Sequence, residues 1–155
     1  MPVGSDPVAL PHTFRPLGVR IAACAFGFLL LVVVVVIWFA FSQDVRDQFT
    51  FFQRATVVFF GLCGAVAGHA LARSRAVARE DSLTVVNGYR SRTYEWSEVV
   101  AVSLREGSPW ATLDLSDGTT VSVMGIQGSD GSRAVRHVKR LRALVDQQSR
   151  TDRDD

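Results

Sequence analysis

Cysteine and histidine are scarce in this sequence, and their scarcity argues against several kinds of chemistry. The chain of 155 residues has two cysteines, Cys24 and Cys63, and three histidines. Because no C-x-x-C pair and no Cys/His cluster occurs, the sequence predicts no disulfide framework and no metal site. A Ser-His-Asp set and a glycine-rich phosphate loop are also lacking. We therefore expect a protein without a cofactor that is not an enzyme, since catalysis requires convergent titratable groups.

A strong charge of either sign is lacking as well. The formal net charge is +2, and residues 76–155 carry nearly equal numbers of basic and acidic side chains. Since nucleic-acid binding requires a basic footprint and usually a recognisable motif, no nucleic-acid partner is expected.

What the chain does have is two long apolar runs in its N-terminal half. Residues 21–43 and 55–72 carry no charged side chain. A bilayer core about 30 Å thick needs about 20 apolar helical residues. We therefore predict a transmembrane hairpin over residues 17–74, with spans at about 20–42 and 51–72. The first run is longer than a signal-peptide core of about 7–15 residues, and no A-x-A site follows it, so we expect it to be retained.

Charged and aromatic residues indicate the orientation of this hairpin. Arginines lie before the first span and after the second, and basic residues near span ends favour the cytoplasm. Aromatic residues cluster at the opposite end, as expected at the outer interface. We predict a multi-pass protein of the cell membrane with both termini in the cytoplasm. The arginines are Arg15, Arg20, Arg73, Arg75 and Arg79, and the aromatic residues are Trp38, Phe39, Phe41, Phe49, Phe51 and Phe52.

Small residues recur along both predicted spans at helical spacing. Ala23 and Gly27 are one turn apart in the first span, and Gly61, Gly64 and Gly68 lie near one stripe of the second. Small residues allow close backbone contact between helices in lipid. Packing within the hairpin, homodimerisation and chance occurrence are the three interpretations.

His69 lies inside the second span, where an ionisable residue is a functional candidate by default. Neither span contains an acidic partner for it. A hydrogen-bonded, neutral structural histidine is the simpler interpretation, and a proton or ligand role is the alternative.

From residue 76 onward the apolar pattern has a period of two. Asn87-Gly88 and Asp117-Gly118 separate β-like runs and are strong hairpin signals. The Asn-Gly pair predicts a type I′ turn, because both residues tolerate a positive φ. We predict a domain over residues 76–146, in which an antiparallel sheet of about five strands is closed by an amphipathic helix that begins at Ser132.

We also predict that both ends of the chain are disordered and that six residues form the core of this domain. Polar or proline-containing ends are expected to be disordered, as an N-terminal arm over residues 1–16 and a tail over residues 147–155. The core residues are Tyr94, Trp96, Leu113, Leu115, Val138 and Leu141.

Three segments of the domain resemble a known family. Residues 83–88 read L-T-V-x-N-G, residues 92–99 read R-x-x-x-W-S-E-V, and residues 113–118 read L-x-L-x-D-G. The series is similar to the pleckstrin-homology-like (PH-like) domains of actinobacterial membrane proteins in the low-molecular-weight protein antigen 6 family. The resemblance implies a two-helix transmembrane hairpin followed by a small α+β domain, in which an antiparallel sheet is closed by one C-terminal amphipathic helix.

The same resemblance implies where an anionic lipid would bind. In phosphoinositide-binding PH domains, basic residues around the first hairpin contact the headgroup, and here Arg90 and Arg92 occupy that hairpin. Arginine suits bidentate phosphate contacts, although two solvated charges at a hairpin tip are the alternative. Arg133, Arg136 and Arg140 form a denser basic face on the helix, which would meet the inner leaflet, an acidic partner or only water.

We therefore interpret the chain as a membrane-tethered, non-catalytic cytoplasmic module with a binding or scaffolding role. Its expected partners are the lipid bilayer, a protein that the sequence does not identify, and anionic lipid, and a homodimer is compatible with the small residues. The alternative is a small accessory subunit of a larger membrane complex that packs through its transmembrane helices.

Overall fold

The computed structural model describes residues 9–154, with side chains described for residues 9–148. This part of the chain forms a hairpin of two long helices and a sheet domain closed by a C-terminal helix. The strands are β1 (His12–Phe14), β2 (Arg75–Ala78), β3 (Ser82–Asn87), β4 (Arg90–Glu95), β5 (Val99–Ser103), β6 (Trp110–Leu115) and β7 (Thr120–Gln127). The helices are α1 (Gly18–Ala40), α2 (Gln43–Gln48), α3 (Phe51–Arg73) and α4 (Ser132–Asp154).

The helical hairpin is inserted into the sheet domain between its first two strands. β1 pairs antiparallel with β2, with Phe14 opposite Ala76, although α1, α2 and α3 separate the two strands in sequence. Residues 15–17 connect β1 to α1, and Ser74 alone connects α3 to β2. The hairpin therefore takes the place of a β-hairpin loop, and the short connections hold the domain against the helix ends.

The predicted disordered arm over residues 1–16 is wrong for the part that the structure describes. Residues 12–14 form β1, and Phe14 is fully buried in the domain core. A strand of three residues is too short to show alternation, and its pairing partner lies beyond both long helices. No local pattern in the sequence indicates this strand. Residues 1–8 of the predicted arm lie outside the described residues.

Helices α1 and α3 are long and apolar enough to cross a bilayer. At about 1.5 Å per residue, a helix of 23 residues is about 34 Å long, against a bilayer core of about 30 Å. The most apolar stretch of each helix has no residue buried within the chain. The sheet domain therefore does not cover the apolar surface of these helices.

The end of the hairpin far from the sheet domain is closed by α2 and a set of aromatic rings. The Phe49 ring meets Trp38 edge-on at 5.7 Å and stacks on Phe41 at 5.9 Å, both between ring centroids. The Arg54 guanidinium lies over the Trp38 ring at 5.3 Å and donates a hydrogen bond of 2.7 Å to the carbonyl oxygen of Arg46. Three of the predicted interfacial aromatic residues thus pack together where the chain reverses.

The domain contains a four-stranded sheet in the order β1-β2-β3-β4 and a three-stranded sheet in the order β5-β6-β7. The two sheets meet where β7 crosses β2. A Cβ atom at Gly125 would lie 2.7 Å from backbone atoms of Arg75 and Ala76, so only glycine permits this approach. Asn87 at the end of β3 reinforces the contact between the two sheets, since its side chain donates to the Ser122 carbonyl at 2.6 Å and accepts from the Met124 N–H at 3.0 Å.

The position of Asn87 between the two sheets shows that the predicted Asn87-Gly88 turn is wrong. Asn87 pairs with Arg90 as the last residue of β3, so the two loop residues are Gly88 and Tyr89. Gly88 has a φ of 61°, and no non-glycine residue in the described chain has a positive φ. Glycine alone at the first loop position is typical of a type II′ turn rather than the predicted type I′ turn.

Helix α4 covers the sheets and completes the core. Tyr94 and Trp96 are 6% and 4% exposed, and the Trp96 indole donates to the Arg79 carbonyl at 3.1 Å. Leu113, Val138 and Leu141 are buried, whereas Leu115 is only partly buried against the core. The helix continues to Asp154, so the predicted disordered tail over 147–155 is wrong for its described residues, and residue 155 lies outside them.

Candidate functional site

The β3–β4 loop packs against the end of α3 that is nearest the sheet domain. The Tyr89 hydroxyl lies 2.9 Å from Nδ1 of His69 and donates a longer hydrogen bond of 3.4 Å to the Val66 carbonyl. The Gly88 N–H donates to Oγ of Ser74 at 2.9 Å, and that hydroxyl donates to the Ala70 carbonyl at 3.2 Å. His69 is therefore hydrogen-bonded to the domain, as the simpler interpretation of this residue predicted.

A second contact joins the domain to the other long helix. The carboxylate of Asp130, which follows β7, accepts hydrogen bonds from the backbone N–H groups of Leu17 at 3.2 Å and Gly18 at 3.0 Å. The first N–H groups of a helix have no partner within the helix, so Asp130 acts as a cap supplied by a distant segment. Together with the Tyr89 contacts, this cap holds both helices at fixed positions on the domain.

Between these two contacts lies a small basic cavity, which we call the junction pocket. It has a volume of about 220 Å³, and no acidic residue of the described chain lines it. The lining comes from the β1–α1 connection, the first turn of α1, the last turn of α3 and the start of β2. The lining residues are Arg15, Arg20, His69, Ala72, Arg73 and Arg75.

Sequence reasoning used these arginines only as orientation signals and did not place them together. Arg15 and Arg20 are separated from Arg73 and Arg75 by two long helices, and the antiparallel pairing of β1 with β2 brings them to one place. The signal that was available is the position of all four at the predicted cytoplasmic span ends, since the ends of a helical hairpin lie side by side.

The residues that were predicted to contact lipid lie elsewhere. Arg90 and Arg92 are exposed on β4 and do not line the junction pocket. Arg136 and Arg140 are exposed on α4, and Arg133 is half-buried there. The structure thus presents three separate basic regions rather than one, and the junction pocket is formed between several elements.

The predicted helix-packing stripe is only partly at the helix contact. A Cβ atom added at Gly68 would lie 3.9 Å from the Cβ atom of Ala23, whereas one added at Gly27, Gly61 or Gly64 would meet nothing within 4 Å. Packing within the hairpin therefore explains Ala23 and Gly68 and does not explain the other three glycines. Both cysteines are exposed and free, and the described residues contain no group of three potential metal ligands.

Two histidines, His12 on β1 and His137 on α4, lie next to the Phe14 ring. The rings of His12 and His137 flank the buried Phe14 ring, at centroid distances of 4.7 Å and 5.5 Å. Burial lowers the pKa of His12, and the charge of Arg140 lowers it further. Burial also lowers the pKa of His137, followed by the charge of Arg133, so both imidazoles favour the neutral form in the folded domain.

Because the pKa values of His12 and His137 are lowered, we expect the domain to be less stable in mild acid. Their ordinary pKa is 6.5, and because folding lowers it, the unfolded chain binds more protons below that pH. The free energy of unfolding should be at its full value above about pH 6.5 and should decrease as the pH falls below it. Denaturant titrations that follow the domain within the full-length protein, at about pH 7.5 and about pH 5.5, measure this change.

The control for this prediction is His137→Gln, which keeps a polar side chain at the position but removes its titration. The variant should show a smaller decrease in unfolding free energy between the two pH values. Equal stability of the unmodified protein at both pH values, or greater stability in acid, would contradict the assigned burial of the two histidines.

The opposite end of the domain carries an acidic groove of about 440 Å³ between the β2–β3 turn, the end of β4 and α4. Its carboxylates belong to Glu80, Asp81 and Glu95, and Trp96 and Gln148 also line it. The domain is therefore polarised, with arginines at the end that meets the helices and carboxylates at the far end.

Comparison with known proteins identifies the fold of the sheet domain. Residues 73–144 match the model of the bacterial PH domain family. The domain has a PH-like fold. The match begins at the end of α3, so it includes strands β2 to β7 and most of α4 but not β1.

The relatives that match carry no functional description. Uncharacterized protein Mb1452 of Mycobacterium bovis and uncharacterized protein Rv1417 of Mycobacterium tuberculosis are each 39% identical to this chain over 97 residues. The alignment includes 61% of this chain and spans 63% of the length of each relative. No solved structure matches the chain.

These findings confirm the predicted fold class: two long apolar N-terminal helices precede a PH-like antiparallel sheet domain with a C-terminal helix. A PH-like domain indicates a non-catalytic binding module, since PH-like domains are generally non-catalytic. The narrower assignment to the low-molecular-weight protein antigen 6 family stays a prediction.

Proposed function

We propose that this protein is a membrane-anchored, non-catalytic binding module, related to the low-molecular-weight protein antigen 6 family, that presents its PH-like domain at the cytoplasmic face of the cell membrane. The observation that carries the proposal is the insertion of the helical hairpin between β1 and β2. A linker at one end of a domain would permit free rotation. Two short connections and the Asp130 and Tyr89 contacts instead hold one face of the domain against the helix ends, which supports a fixed orientation of the domain at the bilayer.

The polarity of the domain supports the same arrangement. The junction arginines lie at the helix ends, where the headgroup region begins if α1 and α3 span the bilayer. The acidic groove lies at the far end, so in the proposed arrangement it would face the aqueous cytoplasm and be available to a soluble partner. Carboxylates at that distance avoid the negative potential of the inner leaflet.

The alternative role, an accessory subunit of a larger membrane complex, is supported by one observation. Gly27, Gly61 and Gly64 have open space where a side chain would lie, so another helix could approach the hairpin closely there. The same surface would serve a homodimer. In either case the PH-like domain is still held at the membrane surface by the hairpin.

The orientation of the hairpin provides the direct test of the anchoring. A reporter enzyme that is active only outside the cytoplasm should be active when it is inserted within residues 46–48, because arginines at the other end of both helices keep that end inside. The same reporter fused after Asp155 should be inactive. Colony assays of reporter activity in a bacterial host measure both positions.

A fluorescent reporter that folds only in the cytoplasm is the matched control, and it should give the opposite pattern at the same two positions. Activity of the first reporter after Asp155 would place the PH-like domain outside the cell and overturn the proposed orientation.

A further inference from the structure

We infer that the junction pocket binds the phosphate of an acidic phospholipid headgroup. This inference rests on the proposed membrane anchoring and adds the class of ligand and the residues that hold it. The pocket is distinct from the exposed hairpin of Arg90 and Arg92, because none of its lining residues lies on β4.

The charge of the pocket is the first argument. Four arginine residues line it, and none of them forms an ion pair within residues 9–148. Asp130 is the carboxylate at this junction, and both of its oxygens accept from the N–H groups at the start of α1. Convergent like charges repel one another, so a bound anion lowers the energy of the arrangement. Arginine donors suit phosphate oxygens, which accept two parallel hydrogen bonds from one guanidinium.

The size and position of the pocket are the second argument. A volume of about 220 Å³ is below the roughly 300–1,000 Å³ typical of pockets that bury a drug-sized ligand, and it suits a phosphate with its first substituents. Arg20 lies in the first turn of α1 and Arg73 is the last residue of α3. If the helices span the bilayer, these side chains lie level with lipid phosphates, and basic pockets between helices at the cytoplasmic side are typical headgroup sites.

The pocket is also held in shape by the domain. The Arg73 guanidinium lies over the Tyr89 ring at 5.8 Å from its centroid, and the Tyr89 hydroxyl contacts His69 at 2.9 Å. Arg75 is fixed by its place in β2, opposite Val86. Since both helices, the β1–α1 connection and the start of β2 contribute, the site exists only in a chain that contains the hairpin and the domain together.

A competition between two lipids tests the inference. The full-length protein in zwitterionic detergent would receive phosphatidylglycerol and phosphatidylcholine in equal amounts, and native mass spectrometry would count each bound lipid. We expect the unmodified protein to prefer phosphatidylglycerol. Arg15→Gln/Arg20→Gln should reduce that preference about 25-fold, since one arginine near an anionic surface contributes roughly a fivefold preference.

Arg90→Gln/Arg92→Gln is the matched control, because it removes the same charge from equally exposed positions that do not line the pocket. It should keep the preference of the unmodified protein. An equal loss in both variants would indicate general electrostatic attraction and overturn the pocket, and a loss in the control alone would assign lipid contact to the hairpin instead.

A second arm replaces the lipids with inorganic phosphate, which has the same chemistry without acyl chains. Phosphate should bind much more weakly than phosphatidylglycerol if the pocket is built for lipid. Tight phosphate binding without any preference for phosphatidylglycerol would identify a soluble anion as the ligand and overturn the inference.

Extraction of membranes with carbonate separates the proposed pocket from the proposed anchoring. A protein that stays inserted but shows no lipid preference refutes the pocket alone. A protein that is extracted refutes the anchoring and the pocket with it.

Discussion

A chain in which residues 17–73 are replaced by the dipeptide Asn-Gly should fold as a soluble domain, whereas the fragment 76–155 should not fold. The replacement leaves Pro16 and Ser74 on either side of a two-residue turn. The β1–β2 register, in which Phe14 lies opposite Ala76, would then place Pro16 opposite Ser74. Asn-Gly favours the tight turns that connect antiparallel strands, so the substituted loop preserves the native pairing.

The fragment should fail because it lacks β1. Phe14 is fully buried, and so is Pro16 beside it, so removing them exposes the surfaces of Ala76, Ala78 and the helix α4 that they cover. Removal of a buried phenylalanine side chain typically costs about 3–5 kcal/mol. Small domains have a total stability near the lower end of about 5–15 kcal/mol, so the loss of β1 removes most of it.

Circular dichroism and a denaturant titration distinguish the two proteins. We expect a cooperative transition for the Asn-Gly chain and none for the fragment. A matched control is the Asn-Gly chain with Phe14→Ala, which keeps the strand but should lose about 3–5 kcal/mol. A fragment 76–155 that unfolds cooperatively with the stability of the Asn-Gly chain would show that β1 is not part of the domain.

The folded Asn-Gly chain also separates the two candidate roles. Immobilised on beads and exposed to solubilised native membranes, it should capture a protein partner if the domain is the binding module. If partners bind only the full-length chain, the helices carry the interaction and the accessory-subunit role is favoured.

The features that the sequence predicted well are those whose signal is local. The two long helices were indicated by uncharged runs, and their observed ends, at residues 18–40 and 51–73, lie within two residues of the predicted ones. Strands β3 to β7 correspond to the five predicted strands, which were indicated by a period of two between turn signals, and Trp96 and Leu113 were assigned to the core from the same alternation. In each case the residues that define the element are close together in the chain.

The features that were missed depend on residues that are distant in sequence. β1 is short and pairs with a strand beyond the helical hairpin, so the sequence alone assigned its three residues to a polar arm. Asn87 was expected within a turn because of its neighbour Gly88, but its side chain bonds β7 instead. The junction pocket was missed for the same reason, since Arg15 and Arg75 become neighbours only through the β1–β2 pairing.

Trp96→Ala should unfold the PH-like domain of the full-length protein and leave the helical hairpin inserted in the membrane. The indole is 4% exposed in the core that α4 closes. Truncation of a buried tryptophan to alanine typically costs about 3–5 kcal/mol, because the apolar contacts are lost and a cavity remains. Helices α1 and α3 do not depend on this core for their apolar environment, so their insertion should persist.

Limited proteolysis of membrane vesicles with exposed cytoplasmic faces measures this difference. Cleavage should become rapid within residues 76–148 of the variant, while α1 and α3 stay protected by the bilayer. Trp96→Phe is an informative intermediate, since it keeps a ring in the core but removes the donor to the Arg79 carbonyl. Arg79 is exposed, so water can replace that hydrogen bond. Trp96→Phe should therefore lower the free energy of unfolding by only about 1–2 kcal/mol.

Trp110→Ala is the matched control for the loss of a tryptophan. Trp110 begins β6 and is only half-buried, so its truncation removes less apolar contact and should leave the domain resistant to protease. If Trp96→Ala and Trp110→Ala were equally resistant, the Trp96 side chain would not be a main component of the core. The alternation over residues 92–96 that assigned Tyr94 and Trp96 to the buried face would then have to be reversed, and with it the face on which α4 packs.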